Sequence, residues 1–324
     1  MTGSVFTFGE TMLLLTGQDV GAVPDLRQMR VDTGGAESNV AIGLVRAGVP
    51  TTWLGRVGTD PAGDRVAGDI GGEGVDVVAV PDPERSTGIM MKERLHDGRT
   101  RVTYHRRGSA GAALTPDDLP ASIIESAALL HLTGITLALS DSARETVAAA
   151  VDRATAAGVP VSFDVNHRPK LIDAEAARTH YRRVASRAAV VFAGDDEARL
   201  VLGRDEHDGD DEALAHGLAA LAGGRAVVKL GSRGAVASID GVLLRRPATP
   251  VHVVDPVGAG DSFVAGWLAA TLAGASPADA LDRAADTGAL ACTVAGDWER
   301  PDAGALHRGA PPGSDHAVHD RVDR

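Results

Sequence analysis

Cysteine is almost missing: Cys292 is the only one in 324 residues. No intrachain disulfide, zinc finger or Cys-x-x-Cys redox pair can form, and a reducing cytoplasm is the expected compartment. Basic charge is also short. Lys+Arg number 32 against 44 Asp+Glu, a net charge of -12, so nucleic acid is not an expected partner. No uninterrupted apolar stretch is long enough to span a bilayer, and MTGSVFTFGETMLLLTG lacks the basic start and cleavage pattern of an export signal. Neither membrane attachment nor export is expected. Gly followed by Lys occurs nowhere, which excludes a Walker P-loop. A dinucleotide fold would place Gly-x-Gly-x-x-Gly after the first strand, but Gly9 is followed by ETMLLL, which weakens a dehydrogenase reading.

Hydrophobic residues make up 44% and charged ones 23%, the balance of a globular chain of one large domain or two. Val5 to Gly9 reads as an apolar strand, Ser38 to Ala47 as a helix stopped by Gly48, and Thr52 to Val57 as the next strand. The alternation recurs with strands at Leu129 to Leu132, Val161 to Val165, Val190 to Ala193 and Ala226 to Leu230. Helices fall at Ser142 to Ala157, Asp196 to Leu202 and Asp211 to Leu221. This predicts an α/β fold, a doubly wound and mostly parallel sheet with helices on both faces. Gly88 to Gly108 breaks the pattern with two strand-like arms around His96-Asp97-Gly98, a hairpin signal. With the helix-poor stretch Leu13 to Val31 it predicts a small β-sheet lid. The expected division is a core of residues 1–10, 34–85 and 109–307, a lid of 11–33 and 86–108, and a loosely held tail over 308–324.

DPVGAGDS, Asp255 to Ser262, stands before the apolar run SFVAGWLAATLAG. Asp261 alone reads as an N-cap, yet a cap needs no glycine pair before it. Gly258 and Gly260 permit a sharp turn and close approach, and with a helix N-terminus they form a cup of N–H donors suited to phosphate. A carboxylate beside an anion cup points to phosphoryl transfer, with Asp261 taking a hydroxyl proton. GGAESN, Gly34 to Asn39, reads either as a strand-to-helix turn with Ser38 as cap or as a glycine backbone lying against a sugar, with Asn39 bonding its hydroxyls.

GGAESNVAIGLVRAG and DPVGAGDSFVAGW together resemble the two signatures of the ribokinase-like (PfkB) carbohydrate kinases. The resemblance runs from about Val5 to Leu306 and includes KLGSRGA at Lys229 to Ala235. TYHRRGSAGAAL, LHLTGITLALS and FDVNHR resemble the 2-keto-3-deoxygluconate kinases within that family. The resemblance implies that Asp261 is the catalytic base and that Gly258, Ala259 and Gly260 form the anion hole. It places Gly34, Gly35 and Asn39 against the sugar, Tyr104, Arg106 and Arg168 against its hydroxyls and carboxylate, and Asp164 and Asn166 near phosphates and substrate. Lys229, Gly231 and Gly234 would line the nucleotide, with adenine between that loop and the helix carrying Cys292. Guanidinium forks match a sugar carboxylate; ordinary surface charge is the other reading of each arginine, and His105 beside Tyr104 reads as surface.

The implied cofactors are ATP and Mg2+, and a monovalent cation beneath the anion loop is left open. Two positions depart from the pattern. Relatives carry Asn-x-x-Glu at the magnesium-linked segment, whereas this chain has GDDE; Glu197 keeps the indirect metal role, and Asp195 and Asp196 stand as replacements for the amide lost at Gly194. Met90 occupies a place where a substrate-facing tyrosine is usual. The expected activity is ATP-dependent phosphorylation of the terminal hydroxyl of 2-keto-3-deoxygluconate. A kinase for a neutral sugar such as fructose or ribose is the alternative, and a non-catalytic sugar or nucleotide sensor the rival from another class. A homodimer through the lids is expected, because a small sheet with an apolar face seeks a partner.

Overall fold

Short runs of β-branched and aromatic residues separated by helices build the sheet that places the site. The computed structural model describes residues 3–96, 99–205, 208–296, 298 and 322–323. In chain order, β1 (Val5–Phe8) is followed by β2 (Met12–Val20), β3 (Met29–Gly34), α1 (Ala36–Arg46), β4 (Thr51–Gly58), α2 (Pro61–Gly72) and β5 (Asp76–Asp82). The hairpin β6 (Ile89–Arg94) and β7 (Thr100–His105) precedes α3 (Ile123–Ser126), β8 (Leu129–Thr133), α4 (Gly134–Leu139), α5 (Asp141–Ala157) and β9 (Val161–Asp164). Then come α6 (Ala174–Ala185), β10 (Val190–Gly194), α7 (Asp195–Leu202), α8 (Asp211–Leu221), β11 (Arg225–Lys229), β12 (Ala235–Ile239), β13 (Val242–Arg246), α9 (Ala259–Leu272) and α10 (Pro277–Ala291). The last described piece is β14 (Val322–Asp323), which pairs in parallel with β7. The rest of the expected tail, and residues 97 and 98 of the expected hairpin turn, lie outside the described residues.

The large sheet has the order β13-β12-β11-β10-β9-β8-β1-β4-β5. Seven strands from β11 to β5 run parallel, and β12 and β13 fold back antiparallel. Its central strands VFTF, LLHLT and VSFD are buried along their whole length, as expected of parallel strands covered on both faces. Direction of winding reverses between β1 and β8. In open α/β sheets ligands bind at the carboxyl ends of the strands beside that reversal, and here those ends carry Gly9, Thr133, Asp164, Gly194 and Lys229. A separate sheet pairs β3, β2, β6 and β7, confirming the expected fold class.

Two helices bring the signature motifs together. Helix α9 is apolar almost all round, with Phe263 through Ala269 buried, the mark of a helix enclosed on every side. It crosses α1 closely because Gly43 leaves no room for more: a Cβ there would lie 2.6 Å from Cβ of Ala265. Gly266 does the same toward α10, where a Cβ would meet Cα of Ala284 at 3.2 Å. Helix α1 starts at Ala36, earlier than the expected Ser38, because Gly35 takes the extended capping position. Ser38 is therefore not the cap. Its hydroxyl turns back to donate to the Gly35 carbonyl and accepts from Thr11 Oγ1.

Candidate active site

Asp261 is the third residue of α9, and Gly258, with φ of 80°, is the N-cap. The N-cap reading of Asp261 is thus replaced. Its carboxylate is instead gripped from two other elements: Asn39 Nδ2 donates to Oδ2 at 2.8 Å, and Asn166 Nδ2 approaches Oδ1 at 3.4 Å. Asn166 sits at φ of 38°, in the left-handed region that Asn tolerates better than most residues. Asn39, expected on the sugar hydroxyls, gives an amide hydrogen to Asp261. Both amides orient the carboxylate.

The glycines of the loop are not equivalent. Gly258 is required by its positive φ. Gly260 has no such backbone need, and a Cβ there would meet only Lys229 Nζ, at an ordinary contact distance of 3.6 Å. Glycine inside a helix costs about 0.5 to 1 kcal/mol relative to Ala, and the surrounding protein gives no reason for it. Space for a ligand at the helix start does. The first turn of a helix leaves N–H groups without intrahelical acceptors, and at Gly260 that donor suits an anion.

Gly35 and Gly234 have structural explanations. A Cβ on Gly35 would fall 2.5 Å from the Glu10 carbonyl, and one on Gly234 2.0 Å from the Arg246 carbonyl. Gly234, at φ of 95°, and Gly231, at φ of 56°, form the turn between β11 and β12. Their backbone geometry is set by the sheet before any nucleotide approaches. Gly34 ends β3, paired with Met12.

Below the loop lies a buried charge cluster. Lys229 Nζ donates to both oxygens of Asp164, at 2.7 and 2.8 Å. Burial pushes the Asp164 carboxyl up to about 7 despite the ammonium, with the Glu197 and Asp261 carboxylates adding to the rise. For Lys229 burial acts to lower the pKa, but Asp164, Glu197 and Asp261 outweigh it and hold it raised. Burial and the Lys229 charge push His131, one strand over, down to about 3, so its ring is neutral against Ser162. Glu197 accepts from the backbone N–H of His167 and of Gly194, both inside 3 Å. It shapes the start of α7 as part of a capping box.

Asp195 and Asp196 do not replace the lost amide. Asp195 pairs with Arg233 at 2.7 Å, and Asp196 is 90% exposed beside Arg199. Among the described residues no cluster of three His, Cys, Asp or Glu could hold a metal by itself. Asp164, Glu197 and Asp261 around the single Lys229 leave an excess of negative charge that suits Mg2+ arriving on phosphates. The open question of a monovalent cation meets a different fact. Asp255, the buried carboxylate at the root of the loop, has its charge met by Lys92.

The three residues expected on the sugar from the lid and the β9 loop divide. Tyr104 is half-buried against the apolar cluster of the small sheet, its ring 5.7 Å from the Arg106 guanidinium. Arg106 is buried, and its Nε donates to Glu10 Oε2 at 2.6 Å, so its charge is already compensated. Arg168 is half-buried and has no carboxylate partner among the described residues. His105 is exposed, as expected, and so is Arg107. Met90 packs with Met12, Leu14 and Val102 in the apolar cluster of the small sheet.

Three polar residues of this region, Glu10, Lys92 and Glu37, were not singled out in the sequence. Glu10 holds Arg106 and Ser109, and Lys92 reaches Asp255. Glu37, wholly buried and raised by that burial, accepts from Thr133 and Thr136 at 2.7 and 2.5 Å. Its signal was present in the ESN of the first motif: a carboxylate between glycines and an apolar helix run must be buried or paired. Gly9 makes room for it, since a Cβ there would lie 2.4 Å from Glu37 Cδ.

The carboxylate held by two amides at a glycine-opened helix start, over a sheet of this order, is the arrangement of a sugar kinase. Residues 2–301 match the model of the pfkB family carbohydrate kinases, and the chain belongs to that family. It is 36% identical to the 2-dehydro-3-deoxygalactonokinase of Haloferax volcanii, over 92% of this chain and 93% of that one. It is 34% identical to the 2-dehydro-3-deoxygluconokinase of Bacillus subtilis, over 90% of each, and 32% identical to a Klebsiella pneumoniae fructokinase, over 91% and 95%. An Escherichia coli structure solved with ATP and Mg2+ superposes with a TM-score of 0.83 at 26% identity, covering 93% of this chain and 96% of that one. Among the described residues no helix is long and apolar enough to cross a membrane.

Proposed function

We propose that the chain transfers the γ-phosphoryl group of ATP to the terminal hydroxyl of a 2-keto-3-deoxy sugar acid, 2-keto-3-deoxygluconate first. The observation that carries this is an oriented Asp261 together with an arginine, Arg168, that has no carboxylate partner among the described residues and lies two residues beyond Asn166. Asp261 takes the hydroxyl proton as the oxygen bonds to the γ-phosphorus and the bond to ADP breaks. The anion hole of Gly258, Ala259 and Gly260 faces the developing charge, and a preorganised donor such as the Gly260 N–H acts strongly in a dry site. Mg2+, when bound with ATP, supplies neutralisation of the phosphates. Lys229 faces the same helix start, where a Cβ on Gly260 would meet its Nζ at 3.6 Å. Gly231 and Gly234 border the nucleotide, and adenine rests toward Cys292. Gly34, Gly35 and Tyr104 enclose the sugar, covered by a lid of residues 11–33 and 86–108 that excludes water.

Phosphorus NMR of the product tests the regiochemistry. The expected product from 2-keto-3-deoxygluconate is a single phosphate monoester coupled to the terminal methylene protons. A phosphate on a ring or chain carbon bearing one proton would refute the placement of the substrate. The neutral-sugar reading draws support from Met90, whose apolar side chain gives the lid no polar contact at that position, and from the fructokinase relative.

The lids also form the expected homodimer. Leu13, Leu15, Ile89 and Met91 alternate with the buried Met12, Leu14 and Met90, and the first four are only half-buried, with Val31 beside them 41% exposed. An apolar sheet face of this kind is covered by a second copy. Light scattering at micromolar concentration should give twice the chain mass; a monomer would contradict this interface.

A further inference from the structure

Arginine dominates the basic residues of this chain, and only three lysines occur, at 92, 170 and 229. Two of them converge on one loop. Lys229 Nζ would lie 3.6 Å from a Cβ on Gly260, while Lys92 comes from the small sheet and forms an ion pair with Asp255. Lys92 is 4% exposed and Asp255 8%, so this is a contact made out of water. Lys92 shares its sheet face with Met90, two residues earlier on β6, and its stem runs past Val102, its neighbour on β7.

Asp255 is the root of the glycine loop. Its own N–H and that of Val254 both donate to the Cys292 carbonyl, at 3.2 and 2.8 Å. Its Oδ1 accepts from the Val257 N–H at 3.2 Å, which sets the turn into Pro256, Val257 and Gly258. The other oxygen, Oδ2, takes the Lys92 ammonium. One residue therefore joins the end of α10 through its backbone, and the turn of the anion loop and the small sheet through its carboxylate. A buried ion pair is a poor way to add stability, since apolar residues of similar size commonly serve as well or better. Its value lies in fixing a position.

We propose that Lys92 is a positioning residue for phosphoryl transfer: through Asp255 it sets the orientation of the 256–260 backbone and so couples the lid over the sugar to the anion loop. This rests on the sugar-kinase reading above. Methionine at 92 keeps an apolar stem and removes the charge. Lys92→Met should lower kcat about 10- to 100-fold, the loss of one or two charge-assisted hydrogen bonds, with the KM for ATP changed less than about threefold. Lys92→Arg, which restores a cation, should recover part of the rate.

Three measurements separate positioning from simple bracing. Hydrogen exchange on the ligand-free protein should show the amides of residues 257–260 exchanging about tenfold faster in Lys92→Met, a local loosening, with β8 to β11 unchanged. The double variant Lys92→Met with Asp255→Asn removes the stranded charge; it should melt near the wild-type temperature yet keep the low kcat. Unchanged loop exchange in Lys92→Met, or wild-type kcat in the double variant, would overturn the proposal. Because the exchange measurement uses no substrate, it stands even if 2-keto-3-deoxygluconate is not phosphorylated, a result that would defeat the substrate reading alone.

Discussion

Replacing Asp261 by Ala is expected to lower kcat by roughly 10² to 10⁴-fold while leaving the affinity for ATP nearly unchanged. The competing role for this carboxylate is favourable charge in the first turn of α9, worth about 0.3 to 1 kcal/mol. A 10² to 10⁴-fold loss corresponds to about 2.7 to 5.4 kcal/mol at 1.36 kcal/mol per tenfold, so the two roles are separable by size. Asp261→Asn sharpens the comparison, because an amide of the same shape still offers an oxygen to Asn39 while it cannot accept the hydroxyl proton. Both variants should melt close to the wild type. Near-normal turnover in either, measured by coupled release of ADP, would return Asp261 to the electrostatics of the helix start.

The second large effect concerns charge selection. Arg106 and Arg168 both resemble acid-sugar contacts in the sequence, and the structure gives them unequal prospects. Arg106 is buried on Glu10 with its charge met, whereas Arg168 has no carboxylate partner among the described residues. A hydrogen bond to a charged group is worth about 1.5 to 3 kcal/mol, so Arg168→Ala should cost roughly 10- to 100-fold in kcat/KM with 2-keto-3-deoxygluconate and little with fructose. Arg106→Ala should act differently. It strands the Glu10 carboxylate in the interior, and breaking a buried pair from one side costs about 3 to 5 kcal/mol, read as a lower melting temperature with acid and neutral sugars affected alike. Equal losses for both sugars in Arg168→Ala would assign that side chain to fold or phosphate binding.

Much of the fold follows from strong local signals. Apolar runs such as VSFDV and VVFA, and helices closed by Gly158 or Gly203 in the left-handed conformation, are legible because each rests on a few adjacent residues. Asp211–Leu221 matches its expected bounds at both ends. The glycine loop and Asp261 are legible for the same reason, since a turn, a cup and a carboxylate sit within one octet. What sequence does not carry is partnership across long separations. Asn39 and Asp261 are 222 residues apart, Lys92 and Asp255 163, and Glu10 and Arg106 96. Nothing local at Arg106 distinguishes it from Arg107, yet one is buried and the other exposed. Glycine is similarly ambiguous: Gly234 and Gly260 read alike in the chain, and only the surroundings show that one is demanded by the Arg246 backbone and the other by nothing in the protein.

The account's central claim is that this site phosphorylates an acid sugar. The direct measurement is kcat/KM for ATP-dependent phosphorylation of 2-keto-3-deoxygluconate, its 4-epimer 2-keto-3-deoxygalactonate, fructose and ribose, with one preparation of the full chain and saturating Mg2+ and ATP. The expected result is a preference of at least about tenfold for the keto-deoxy acids, the least that one charged hydrogen bond confers. A preference for fructose or ribose would contradict the claim and transfer the assignment to a neutral-sugar kinase.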